Sequence, residues 1–116
     1  MATNMLGHAI WAANSHVDLS GSLFCFANVD ATTGDIVLPS ANGATVGIIT
    51  EAAPQNQPTT VQLDGVGKVI LGSTLSAGVQ VESDGSGHAV AHSTGFVAGI
   101  LLTGGNSGDV VSIKLS

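Results

Sequence analysis

The residues best equipped for chemistry in this chain are its four histidines, and the chemistry they would do is metal binding. His88 and His92 stand four apart in His88-Ala89-Val90-Ala91-His92. On a helix that spacing would put both imidazoles on one face, but Val90 and the flanking Gly-rich turns favour a strand. A strand separates the two Cα atoms by roughly 13 Å, too far to share an ion. His8 and His16 have no cysteine or carboxylate at typical ligand spacing, so all four read as turn or surface residues. Nucleophilic chemistry fares no better. His16-Val17-Asp18-Leu19-Ser20 holds three triad residue types, but a triad is a spatial arrangement, and no G-x-S-x-G elbow occurs. Cys25 lies in Leu23-Phe24-Cys25-Phe26, an apolar segment where a buried, inert thiol is the expected outcome.

Among the carboxylates, Glu82 and Asp84 straddle a turn and Asp64 adjoins glycines. Glycoside hydrolysis would also need an aromatic-lined cleft, and the chain has one Trp, three Phe and no Tyr. The same shortage argues against a carbohydrate-binding module. Gly104-Gly105-Asn106-Ser107-Gly108 lacks the G-K-[ST] ending of a phosphate loop and precedes a strand instead of a helix. No catalytic residue, metal or cofactor is expected, and the chain reads as a scaffold or interaction protein rather than an enzyme.

The elements that would carry these residues are short strands. Gly, Asn, Asp and Ser recur at intervals of about eight to twelve residues, with Val-, Ile- and Leu-rich segments between them, the signature of an all-β sandwich or barrel. The pattern predicts strands over Leu23–Val29, Asp35–Leu38, Thr45–Ala52, Thr59–Leu63, Gly67–Leu71, Val79–Glu82, Ala89–Ala91, Gly95–Leu102 and Val110–Leu115. Residues 110–115 and 60–64 alternate clearly, as half-buried strands do. Gly95–Leu102 is apolar throughout, which fits a central strand covered on both faces better than the start of a buried helix. Pro54-Gln55-Asn56-Gln57-Pro58 is a loop. A helix is least excluded near Ser73–Ala77 and in the first fifteen residues.

With 116 residues the chain suits one small domain, and 44% hydrophobic residues exclude an acidic disordered tail. Lys68 and Lys114 are the only Lys or Arg residues against eight Asp and Glu, a formal net charge of −6 with histidine neutral. Two lysines forty-six positions apart do not make a nucleic-acid footprint, and attraction to an anionic membrane is unexpected for the same reason. The single cysteine cannot form an intrachain disulfide. No run of about eighteen apolar residues occurs, and Met1–Ala13 lacks the basic start of a secretory signal, so cytoplasmic synthesis is expected. Residues 1–18 read as an extended N-terminal arm and 19–116 as an all-β domain. The arm holds Met5, Leu6, Ile10 and Trp11 among few polar groups, so it should pack on its own domain or on a partner.

Val61–Val90, VQLDGVGKVILGSTLSAGVQVESDGSGHAV, resembles a pattern of capsid cement, or head decoration, proteins of tailed bacteriophages. In that pattern an xGxxKV turn, here Asp64–Val69, precedes AGxxVxSDxxGxAV, here Ala77-Gly78 through Ser83-Asp84 and Gly87–Val90. An apolar VxGIxL strand (Val97–Leu102) and a closing GDxVxIxL strand (Gly108–Ile113) follow. Gly34–Leu38 and Ala44–Ile49 are similar to upstream strands of the same proteins, and the match runs over about residues 30–115. The resemblance implies a small β-sandwich or β-tulip-like barrel, commonly a homotrimer. It also implies binding to the major capsid protein on the outer surface of the expanded icosahedral head, at three-fold and quasi-three-fold sites. No catalytic residue comes with it. Met5, Leu6, Ile10 and Trp11 are the expected capsid or inter-subunit contacts. A β-structured tail, fibre or adhesin module binding a host surface is the alternative expectation.

Overall fold

The computed structural model describes residues 9–116. Ten strands follow one another along the chain: β1 (Ile10–Asn14), β2 (Phe26–Val29), β3 (Ile36–Val37), β4 (Gly47–Glu51), β5 (Pro58–Gln62), β6 (Val66–Ile70), β7 (Gln80–Ser83), β8 (Ala89–Ala91), β9 (Gly99–Leu101) and β10 (Val110–Leu115). No helix occurs among the described residues, so none is long and apolar enough to cross a membrane. Every predicted strand is present, and Ser73–Ala77 is turn and bridge rather than helix. The strand expected from Leu23 starts only at Phe26, because Phe24 adopts a left-handed φ of 64° that extended pairing cannot accommodate.

The strands form two antiparallel five-stranded sheets, ordered β1-β5-β4-β2-β3 and β6-β10-β9-β7-β8. The second order is the first with five added to each strand number. The registers repeat as well. Ile10 faces Gln62 as Val66 faces Lys114, Ile48 faces Gln62 as Ile100 faces Lys114, and Phe26 faces Ile48 as Gln80 faces Ile100. In each half a parallel bridge from the end of the first strand to the third, Ser15 to Ile36 and Leu71 to Ala89, curls the sheet towards closure. The turns correspond too. The left-handed residues Phe24, Gly34 and Asn56 have Gly78, Gly87 and Gly108 as counterparts, and each pair donates its amide to matching carbonyls. The chain is an internal repeat of one folding unit of about fifty residues.

Each half has its own apolar interior. Leu19, Ala27, Ile36, Ile49 and Val61 fill the first. Val69, Leu71, Val81, Ala89, Ala98, Leu101, Val111, Ile113 and Leu115 fill the second, and Phe26 and Ile48 join that cluster from the first half. Those two side chains, both fully buried, weld the units together. Their backbone neighbours add hydrogen bonds across the junction: Phe26 N donates to Gly87 O at 2.7 Å and Ile70 N to Phe24 O at 3.0 Å. A Cα radius of gyration of 13.2 Å, close to the value of about 13 Å expected for a compact 100-residue domain, shows that the halves pack as one body.

Candidate functional site

The polar residues that could have done chemistry are engaged in holding turns. Asp84 Oδ1 accepts the amides of Ser86 (2.8 Å) and His88 (2.9 Å), Asp30 Oδ1 those of Thr32 and Thr33, and Asp109 Oδ2 that of Asn106. Glu82 is buried, and its Oε1 receives Ser93 N at 2.8 Å and Gly95 N at 3.2 Å, clamping the 93–95 loop over β7. Asp18 binds Ser20 through both hydroxyl and amide, which lowers its pKa, the hydroxyl bond contributing most. Backbone amides of Thr33 and Thr32 lower that of Asp30, and the nearby His16 adds to the effect. His16 itself turns to Asp35 (3.4 Å) and Asp30 (3.7 Å), away from a Ser20 triad.

His88 and His92 flank β8 and bind different partners, His88 near Asp84 and His92 Nε2 on Gly95 O at 2.8 Å. Among the described residues no group of three His, Cys, Asp or Glu side chains is placed to hold a metal ion. Cys25 is buried at the start of β2, and burial pushes its thiol up to about 11, with the charge of Asp84 adding to the effect. A thiol so poor in thiolate at neutral pH is a packing residue.

Several large apolar side chains stand exposed on strands. Of the four residues expected to make contacts, Met5 and Leu6 lie outside the described residues. Ile10 and Trp11 lie on β1, an edge strand laid antiparallel on β5, where they are 63% and 36% exposed. The 9–14 segment is fastened there by Ala9 N donating to Asp64 Oδ1 (2.7 Å) and Leu63 N to Ala9 O (2.8 Å).

A second exposed surface lies on the outer face of β6, β10 and β9. The expectation that Gly95–Leu102 is covered on both faces is corrected here. β9 is central in its sheet, and Gly99 and Leu101 are buried, but Ile100 points outward at 37% exposure and Leu102 is exposed beside it. Val66, Val110, Lys68 and Lys114 share that outer face. Pairing of β6 with β10 sets Lys68 opposite Ser112, two residues from Lys114, so the two bases are diagonal neighbours despite their separation in sequence. Strand reasoning on the sequence missed this surface because an apolar run reads alike whether a core or a partner covers it. The alternation of 110–115 and the pairing of β6 with β10 are what expose it.

No family model matches the sequence, and no curated protein does. Among solved structures, the chain is similar to the N base of the head fiber protein gp8.5 of bacteriophage phi29, with a TM-score of 0.79 at 16% identity, over 95% of this chain and 95% of that one. The two chains share a fold over 95% of each.

Proposed function

We propose that this chain is a structural protein of a bacteriophage head that decorates and cements the outer surface of the expanded capsid. The observation that carries the reading is the likeness, over 95% of both chains, to a head fiber base. It is supported by the independent resemblance of residues 30–115 to head decoration proteins, and by carboxylates engaged in turns rather than in a cleft. On this reading the partner is the major capsid protein, bound at three-fold and quasi-three-fold sites by a homotrimer, with no catalysis, metal or cofactor. Ile10 and Trp11, exposed on β1 where residues 1–8 join the fold, are the described part of the contact, and Met5 and Leu6 extend it.

Cementing requires only linkage. A ligand that binds the expanded lattice and not its dissociated subunits stabilises it by about 2.7 kcal/mol per site at a hundredfold excess over Kd. A trimer converts its second and third contacts into intramolecular ones, so a modest area per copy suffices. The net charge of −6 suits an outer coat, which meets solvent and neighbouring virions rather than DNA. Expanded heads with and without the purified chain, compared for survival of heating and osmotic shock, test the reading. Greater survival of decorated heads is expected, and equal survival with no chain retained after washing overturns it.

A further inference from the structure

The internal repeat gives the exposed face of the second sheet a counterpart whose role is visible. In the first half, Phe26, Ile48 and Gln62 form a row across β2, β4 and β5, and this row is buried, with Phe26 and Ile48 packed into the second half's core. The matching row in the second half is Gln80, Ile100 and Lys114, and all three are exposed, while Ile10 and Val66, which continue the two rows, are exposed in both halves. The repeat therefore uses one surface to hold its neighbour in the first half and leaves the same surface open in the second. The receiving side has counterparts as well. Gly87 and Ile70, which bond to Phe26 and Phe24 across the junction, correspond to Gly34 and Asn14 of the first half. Gly34 and Asn14 are exposed, and Gly34 is flanked by the turn carboxylates Asp30 and Asp35.

We propose that the outer face of β6, β10 and β9 is a self-association surface, covered by the first half of a second copy docked head to tail. The contact repeats between chains the packing that the first half makes on the second within one chain. Charge supports this occupant. The donating face carries Lys68 and Lys114, the chain's only Lys or Arg residues, and the receiving side carries Asp30 and Asp35 with His16 between them at 3.7 and 3.4 Å, so a second copy offers two carboxylates against one imidazole. Because the two faces differ, the contact is heterologous, and copies joined this way close into a ring if their rotation permits.

The inference rests on the self-associating part of the reading above and is independent of what the assembly binds. Sedimentation equilibrium of the full chain, with Ile100→Asp and Asn14→Arg variants checked for fold by circular dichroism, tests it. The wild type should be an oligomer that weakens as salt rises from about 0.05 to 0.5 M. Each variant should be a folded monomer, and an equimolar mixture of the two should give a one-to-one dimer, since each retains the face the other has lost. A monomeric wild type overturns self-association altogether. An oligomer of unchanged mass in Ile100→Asp overturns this face alone, and an unfolded Ile100→Asp leaves the decision to Lys114→Glu, for which unchanged mass and salt response overturn it equally. Capsid retention, read separately, bears on the cementing role and not on this surface.

Discussion

Replacing Phe26 with alanine tests whether two repeated units are welded into one cooperative body. Phe26 is fully buried, and it belongs to the second half's core although it stands on a strand of the first. Its ring removes roughly 150–200 Å² from water, which at about 25 cal/mol per Å² amounts to roughly 4–5 kcal/mol. Large-to-small substitutions of buried phenylalanine cost about 3–5 kcal/mol, in agreement. Against a total stability of about 5–15 kcal/mol for a domain, that is a major share. The counterpart substitution Gln80→Ala, at an exposed position of the same register, should stay within about 0.5 kcal/mol of the wild type. Urea unfolding followed by circular dichroism and by Trp11 fluorescence should show one coincident transition in the wild type and a lower midpoint with unchanged slope in Phe26→Ala. A loss below about 1 kcal/mol, or a wild type that unfolds in two separate steps, would refute the joined core.

Other expectations follow from the same packing. Burial pushes the Cys25 thiol from its ordinary value of 9.0 up to about 11, so the native state holds its proton longer than the unfolded chain. Stability should fall between those two pH values by on the order of 2–3 kcal/mol, and chemical denaturation of Cys25→Ala across that range should lack this component. A Cβ at Gly99 would sit against the Lys114 carbonyl oxygen, as one at Gly47 would against that of Gln62, so Gly99→Ala and Gly47→Ala should each cost about 1–3 kcal/mol in the same assay. Trp11→Ala should keep the native circular dichroism spectrum and lower occupancy on heads, measured by co-sedimentation; loss of the fold would make Trp11 a core residue instead.

The turn chemistry and the alternation of short strands carried most of the fold. β8 and β10 match their expected bounds to the residue, since His88–His92 and Val110–Leu115 are framed by glycine and aspartate turns. β1 was not legible as a strand. Ile-Trp-Ala-Ala-Asn has no polar alternation, four of its five residues are exposed, and its pairing comes from the β5 edge rather than from its own pattern. The repeat was hidden as well. Matching positions are offset by 52 to 56 residues as loop lengths change, for example Gln62 to Lys114 and Ile10 to Val66. Only small runs such as Gly47-Ile48-Ile49 and Gly99-Ile100-Leu101 look alike. Fold is preserved by hydrogen-bond register and left-handed turn positions, which tolerate such divergence. The exposed face escaped for a related reason, because Ile48 and Ile100 are the same residue type in the same register and only the packing of whole units decides which one meets water.

Cryo-microscopy of expanded, DNA-free heads incubated with the purified chain tests the cementing role most directly. The account predicts saturable density of this fold on the outer surface, centred on three-fold and quasi-three-fold sites, with β1 facing the shell. Heads that show bare outer surfaces at saturating chain, or density confined to the tail or the interior, would contradict it.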